Sequence, residues 1–164
     1  MTNALSFRAY YDLAKPRMVY ANVLVAAAAF VYASHGTMNL ILGAAALAGL
    51  GLVIASACTF NNYADREMDA KMERTKCRAL PAGILPGSHA LLMGALLLLA
   101  GLTLLYMTTL PALLVALAGW VSYVLVYTPL KPRSPHALFV GALAGAVPPV
   151  VGYAAVMGTL DATA

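Results

Sequence analysis

Charge is what this sequence has least of. Only 10% of its 164 residues are Asp, Glu, Lys or Arg, against about 25% in soluble domains. Hydrophobic residues make up 62% and the mean hydropathy is +0.82. That excludes an ordinary water-soluble domain. So short a chain has no core large enough for that much apolar sequence, whereas a bilayer is itself an apolar solvent. Cysteine is scarce too. Cys58 and Cys77 alone make no disulfide framework. Cys58 stands in an apolar run and reads as a small buried hydrophobe. Cys77 stands among basic residues, the setting in which thiols become reactive. There is no Gly-rich phosphate loop, no C-x-x-C and no catalytic triad. His35, His89 and His136 are too scattered for a metal cluster and read as loop residues. No cleavable signal peptide is evident. Asp12 and Lys15-Pro16-Arg17 precede a long apolar stretch without a short h-region and cleavage site, so the first helix is expected to remain as an anchor.

The net charge of +4 and pI near 9.2 would suggest nucleic acid in a soluble protein. Placement argues against that partner. All ten basic residues fall in three clusters: Arg8, Lys15 and Arg17; then Arg66, Lys71, Arg74, Lys76 and Arg78; then Lys131 and Arg133. Between them run five apolar segments near the ~20 residues a spanning helix needs: 18–34, 40–60, 90–107, 110–127 and 137–157. The fold class expected is all-α, a multi-pass transmembrane bundle without a soluble domain. Basic residues collect in short cytoplasmic loops. This places the amino terminus, the 61–89 loop and the 128–136 loop in the cytoplasm, and the carboxy terminus, with Asp161 in the tail, outside. Ala44–Ala46, Gly49-Leu50-Gly51 and the 141–145 run allow close helix contact. Gly145 with Pro148-Pro149 is expected to kink or break the fifth helix.

The most informative stretch is Asn61-Asn62-Tyr63-Ala64-Asp65-Arg66-Glu67-Met68-Asp69. It comes directly after the second span and reads as that helix continuing. Residues four apart share a helical face, so Asn61, Asp65 and Asp69 form one polar stripe and the two carboxylates are expected to face one cavity. Like charges four apart repel. Ionisable groups at a membrane surface are functional by default, and a divalent cation would offset the repulsion. Carboxylates with an amide oxygen are hard ligands, suited to magnesium shared with phosphates. The bland reading is a helix end whose acids pair with Arg66, Lys71 or Arg74. Arg74, Lys76 and Arg78 come next, and guanidinium and ammonium groups suit phosphate; the same run also reads as a topology signal. A second polar knot, Tyr127-Thr128-Pro129-Leu130-Lys131-Pro132-Arg133, lies on the same expected face. Lys131 and Arg133 are candidate phosphate contacts and Tyr127 a candidate donor; an interfacial anchor is the plainer alternative. Lys15 and Arg17 are weaker candidates of the same kind.

Asn61-x-x-x-Asp65-x-x-x-Asp69 followed by Met72-Glu73-Arg74-Thr75-Lys76-x-Arg78 resembles the first aspartate-rich motif of UbiA-type intramembrane prenyltransferases. The wording of 69–76 is most similar to the heme-farnesylating branch. Lys15-Pro16-Arg17, Tyr127 to Lys131, and Gly141 through Ala155 fit the same branch. The resemblance implies a Mg2+-dependent transfer of farnesyl from farnesyl diphosphate to a vinyl group of heme B in the cell's inner (plasma) membrane. Asn61, Asp65 and Asp69 would hold the metal. Asn61, Lys15, Arg17, Arg74, Lys76, Arg78, Lys131 and Arg133 would hold the diphosphate. Asp65, Asp69, Arg74, Arg78, Lys131 and Tyr127 would serve the chemistry. Association with another membrane protein of the heme pathway is a further implied partner. Two departures stand out. Arg78-Ala79-Leu80 replaces the family's Arg-Pro-Leu, and about five spans are present where the family has nine, without its second aspartate motif. The 1–164 segment is therefore expected to be a partial domain. A quinone-precursor or aromatic-acid acceptor, a cation-transport role, and an inactive half that pairs with another chain remain open alternatives.

Overall fold

The computed structural model describes residues 2–159, with side chains from Phe7 onward; Asp161 lies outside that range. Every regular element among the described residues is helical. Helix α1 (Thr2–Leu13) is short. Five long helices come after it: α2 (Pro16–Ala33), α3 (Leu40–Asp69), α4 (Gly87–Tyr106), α5 (Leu110–Leu130) and α6 (Ala137–Met157), each apolar and long enough to cross a membrane. The five spans expected from hydropathy are all present. The aspartate-rich stretch is indeed the end of α3, which runs unbroken to Asp69.

Helix boundaries reflect local chemistry. Asn39 caps α3, its Oδ1 accepting from the backbone N–H groups of Ile41 and Leu42 at 3.1 Å. Thr109 caps α5 by accepting from the Ala112 N–H, and its hydroxyl donates to the Ala154 carbonyl, tying α5 to α6. Lipid offers no hydrophobic drive between helices, so close contact must come from small residues. Glycines supply it. A Cβ on Gly101 would lie 2.7 Å from the Gly49 carbonyl oxygen, so α3 and α4 touch backbone to backbone. Gly152 brings α6 against the Ala26 carbonyl of α2 in the same way. Leu50, Val53, Leu105, Ala116 and Val151 fill the centre.

Two features depart from the sequence expectations. The fifth span is not broken: α6 continues through Pro148 and Pro149. The prolines remove two donors, and no water in a bilayer competes for the remaining backbone groups. His89 lies in the first turn of α4 rather than in a loop, where its Nδ1 and the Tyr10 hydroxyl are 2.7 Å apart.

Candidate functional site

The site is built at one end of the bundle, where α3 outruns its neighbours. Between α1 and α2 the chain turns at Lys15, which adopts the left-handed conformation (φ 51°) immediately before Pro16. That region is uncommon for a side-chain-bearing residue, and the corner carries the Lys15 side chain onto α3. Its Nζ donates to Asn61 Oδ1 at 2.7 Å. Asn61 Nδ2 in turn donates to Asp65 Oδ2 (3.1 Å) and to Thr128 Oγ1 (3.3 Å). Lys131 completes the chain with an ion pair to Asp65 Oδ2 at 3.0 Å. Burial pushes the Lys15 ammonium below the ordinary lysine range; Cys58 and Asp65 pull it back, while Arg78 and Lys131 add to the fall.

A π-helical stretch in α5, Ser122–Tyr127, sets the far side. The Thr128 N–H reaches back to the Tyr123 carbonyl, and the Thr128 hydroxyl donates to that oxygen at 2.8 Å. The extra residue in the turn rotates the last turn of α5, and Thr128 and Lys131 meet α3.

Asp69 lies one turn beyond Asp65, and its carboxylate Oδ2 takes Arg78 at 2.8 Å. The intervening loop is folded to allow it. The buried Thr75 hydroxyl donates to the Asp69 carbonyl, the Ile84 N–H donates to the Ala79 carbonyl, and Leu80 and Leu85 pack beneath Ala9, Leu13 and Ala90. Asn62, buried on the same wall, donates from Nδ2 to the Leu13 carbonyl at 2.7 Å, locking α1 onto α3. That carbonyl only accepts, so the amide nitrogen must face it, and Asn62 Oδ1 is left buried without a hydrogen-bond partner among the described residues.

Two cavities flank this network. The wider, about 650 Å3, lies between α1, the end of α3 and the 74–84 loop; Lys15, Asn62, Asp69, Arg74 and Arg78 are on its walls. The narrower, about 160 Å3, is an apolar slot inside the bundle whose walls include Met18, Cys58, Trp120, Tyr123 and Gly145. Cys58 and Asn61 sit three residues apart on one face of α3, and Met18 is one turn beyond Lys15, so the polar network stands directly at the end of the slot.

The structure brings together Lys15, Asn61, Asp65 and Lys131 in one cluster and Asp69, Arg74 and Arg78 on the wider cavity. It corrects the expectation of one cavity shared by both carboxylates: Asp69 lines the wider cavity and Asp65 lines neither, because Asp65 is drawn across to the end of α5 by Lys131 and Asn61. The bland pairing of these acids with Arg66, Lys71 or Arg74 does not occur among the described residues. Arg66 instead lies over the Tyr63 ring and pairs with Glu67. Lys76 pairs with Glu73 at 2.6 Å, away from both cavities. Arg17 and Arg133 are exposed and line neither. Tyr127 stacks on Tyr123 and packs against Gly141. The sequence reading missed Asn62, although it stands seven residues before Asp69 and so shares its face.

The bundle is apolar and carries a charged network at one end, beside an apolar slot. The UbiA prenyltransferase family model matches residues 22–164, and the chain belongs to that family. It is 43% identical over 162 residues to a protein named protoheme IX farnesyltransferase 2 from Pseudomonas fluorescens strain Pf-5, covering 98% of this chain and 55% of the relative. It is 44% identical over 160 residues to a protoheme IX farnesyltransferase from Marinomonas sp. strain MWYL1, covering 96% and 54%. The chain thus spans about half the length of the curated relatives it matches. Two solved structures share its fold. A digeranylgeranylglyceryl phosphate synthase superposes with a TM-score of 0.84 at 20% identity, over 92% of this chain and 55% of that one. A UbiA homolog from Archaeoglobus fulgidus bound to DMAPP and Mg2+ gives 0.80 at 19% identity with the same coverage.

Proposed function

We propose that this chain supplies the first aspartate-motif half of a prenyl-transfer site that moves a farnesyl group from farnesyl diphosphate to a vinyl group of heme B. The observation that carries the reading is the continuity of the Lys15–Asn61–Asp65–Lys131 network with the apolar slot below it. A diphosphate head belongs with the cations, and an isoprenoid tail belongs between Met18, Trp120 and Tyr123. The relatives named protoheme IX farnesyltransferase support the choice of farnesyl and heme.

The donor set fits magnesium. Asp65, Asp69 and Asn61 offer hard oxygens on successive turns of α3, although Lys131 and Arg78 hold the two carboxylates apart in this structure; Asn62 Oδ1, buried and without a partner among the described residues, lies on the Asp69 side. When bound, Mg2+ would neutralise charge on the departing diphosphate. The chain's own groups do the rest. Lys131 and Arg78 hold the two carboxylates in place as ion pairs and stand ready as fixed positive charge where the leaving group gains negative charge. Lys15, fixed at a strained corner, adds a third cation at the end of the slot. The apolar walls keep water from an allylic carbon that loses its diphosphate.

On this reading the mouth faces the cytoplasm, in line with the three basic clusters, and the membrane is the cell's inner one. The test is Asp65→Asn in lipid nanodiscs, with product mass measured after supplying farnesyl diphosphate and heme B. Product near wild-type yield would remove the metal and leaving-group role. Product from an aromatic acid but none from heme B would move the protein to the other branch of acceptors.

A further inference from the structure

The donor accounts for the slot and the charged network but not for most of the wider cavity. That cavity has about 650 Å3, well inside the roughly 300–1,000 Å3 of small-molecule sites. A diphosphate is compact and wholly polar, yet the walls are mostly apolar: Leu13, Leu80 and Ile84 face it from α1 and the loop. Its charge is also arranged in two layers. Lys15 is already joined to the inner network, and Asp69 and Arg78 are already paired with each other. Arg74, on the loop, makes no ion pair among the described residues, and Arg8, on α1, only leans on Asp12 at 3.9 Å, with both side chains largely exposed. Two guanidinium groups therefore stand at the outer mouth above an apolar body of space, with their charge largely uncommitted.

We propose that this outer part of the cavity, between Arg8 and Arg74, is the acceptor subsite, and that it takes carboxylates carried on a broad apolar body, as in a tetrapyrrole with two propionates. The proposal rests on the prenyl-transfer reading and locates its second substrate. Guanidinium forks match carboxylates, the apolar walls cover the macrocycle, and the acceptor's far edge then points inward past Asp69 toward the end of the slot. The amide of Asn62 fixes the α1 wall in place, so the subsite depends on α1 being docked.

The experiment is a titration of the protein in lipid nanodiscs with protoheme and with its dimethyl ester, monitored by Soret absorbance, repeated on Arg8→Gln and Arg74→Gln. The wild type is expected to bind the free acid about tenfold tighter than the ester, and each variant is expected to narrow that gap by weakening the acid alone. Inorganic pyrophosphate with Mg2+ is expected to leave protoheme bound. Equal binding of acid and ester by the wild type would overturn the proposal without any variant needing to fold. So would displacement of protoheme by pyrophosphate, which would hand the cavity to the donor. Prenyl transfer is measured on the same samples. An acid–ester gap with no transfer to any acceptor would sink the prenyl-transfer reading while leaving the carboxylate site standing.

Discussion

The two cavities share α3 as a wall, and Lys15, Met18, Cys58 and Asn61 sit within about one turn of the boundary between them. Yet they are held open by opposite means. The wider one is held by directed bonds: Asn62 to the Leu13 carbonyl, Thr75 to the Asp69 carbonyl, Arg78 to Asp69. Deeper in the bundle the helices are held by backbone contact, with glycine at the crossings of α3 with α4 and of α6 with α2. The difference teaches where function and stability separate. Charge at the mouth costs desolvation and repulsion and is offset only by partners, so single changes there should alter chemistry. Backbone contact at the glycine crossings has no partner to lose, so changes at those glycines should alter the fold.

The largest effect that would break this separation is expected at the mouth. Asp65→Asn keeps shape and one acceptor but removes the charge opposite Lys131. Prenyl transfer should fall about 100-fold or more, while the protein still elutes as a folded species. An inactive variant that also fails to fold would mean the network is structural. The complementary change is Gly101→Leu. Its new Cβ would meet the Gly49 carbonyl oxygen at 2.7 Å and the Val53 nitrogen at 2.9 Å, so α3 and α4 must part, at a cost of at least about 1–3 kcal/mol. Thermal unfolding in detergent should show a clear loss, and kcat of the surviving folded fraction should be unchanged. A kcat loss without destabilisation would dissolve the distinction between the two regions.

Legibility from sequence divides along the same line. Hydropathy exposed all five spans, and i, i+4 spacing exposed the Asn61–Asp65–Asp69 stripe on an extension of the second, because both depend on local periodicity. Partners chosen by tertiary folding were not legible. Arg78 lies nine residues from Asp69 across a loop whose path is set by one buried threonine. Lys131 reaches Asp65 only after a π turn, and Ser-Tyr-Val-Leu-Val-Tyr carries no pattern that announces one. Helix α1 is too short and too polar for a span search, yet it closes the wider cavity. Pro148-Pro149 suggest a kink or a break, and the helix nevertheless runs on through them, because propensities measured in water overstate the penalty where lipid leaves the backbone no alternative partner.

Lys15 belongs to both regions, and its titration sharpens the comparison. Its folded ammonium releases a proton below the ordinary lysine range, chiefly through burial. Between the folded and unfolded values the unfolded chain binds more protons, so stability rises with pH across that window. On the proposed function the diphosphate needs the Lys15 proton, so kcat/KM should fall across the same window. Lys15→Arg keeps the charge and should carry the alkaline limb of the kcat/KM profile upward. Lys15→Met should flatten the rise in stability. A profile untouched by Lys15→Arg would remove Lys15 from the diphosphate's surroundings.

The smallest effect is expected inside the slot, at Trp120. Its indole N–H donates to Ser56 Oγ at 3.0 Å, the Ser56 hydroxyl donates to the Gly94 carbonyl, and the ring meets Phe60 edge-on at 5.4 Å. This polar relay links α5, α3 and α4 within the spans, and on the proposed function it stands where the isoprenoid tail would lie. Trp120→Phe removes one donor while Ser56 keeps its acceptor at Gly94, so the cost should be only about 0.5–1.5 kcal/mol. The tail gains room, and KM for farnesyl diphosphate should shift a few-fold while kcat holds, because a side chain that only lines the tail contributes equally to ground state and transition state. A large loss of kcat at unchanged KM would instead put Trp120 beside the reacting carbon. The slot would then be part of the chemistry, and the line drawn between mouth and middle would have to move one helical turn deeper.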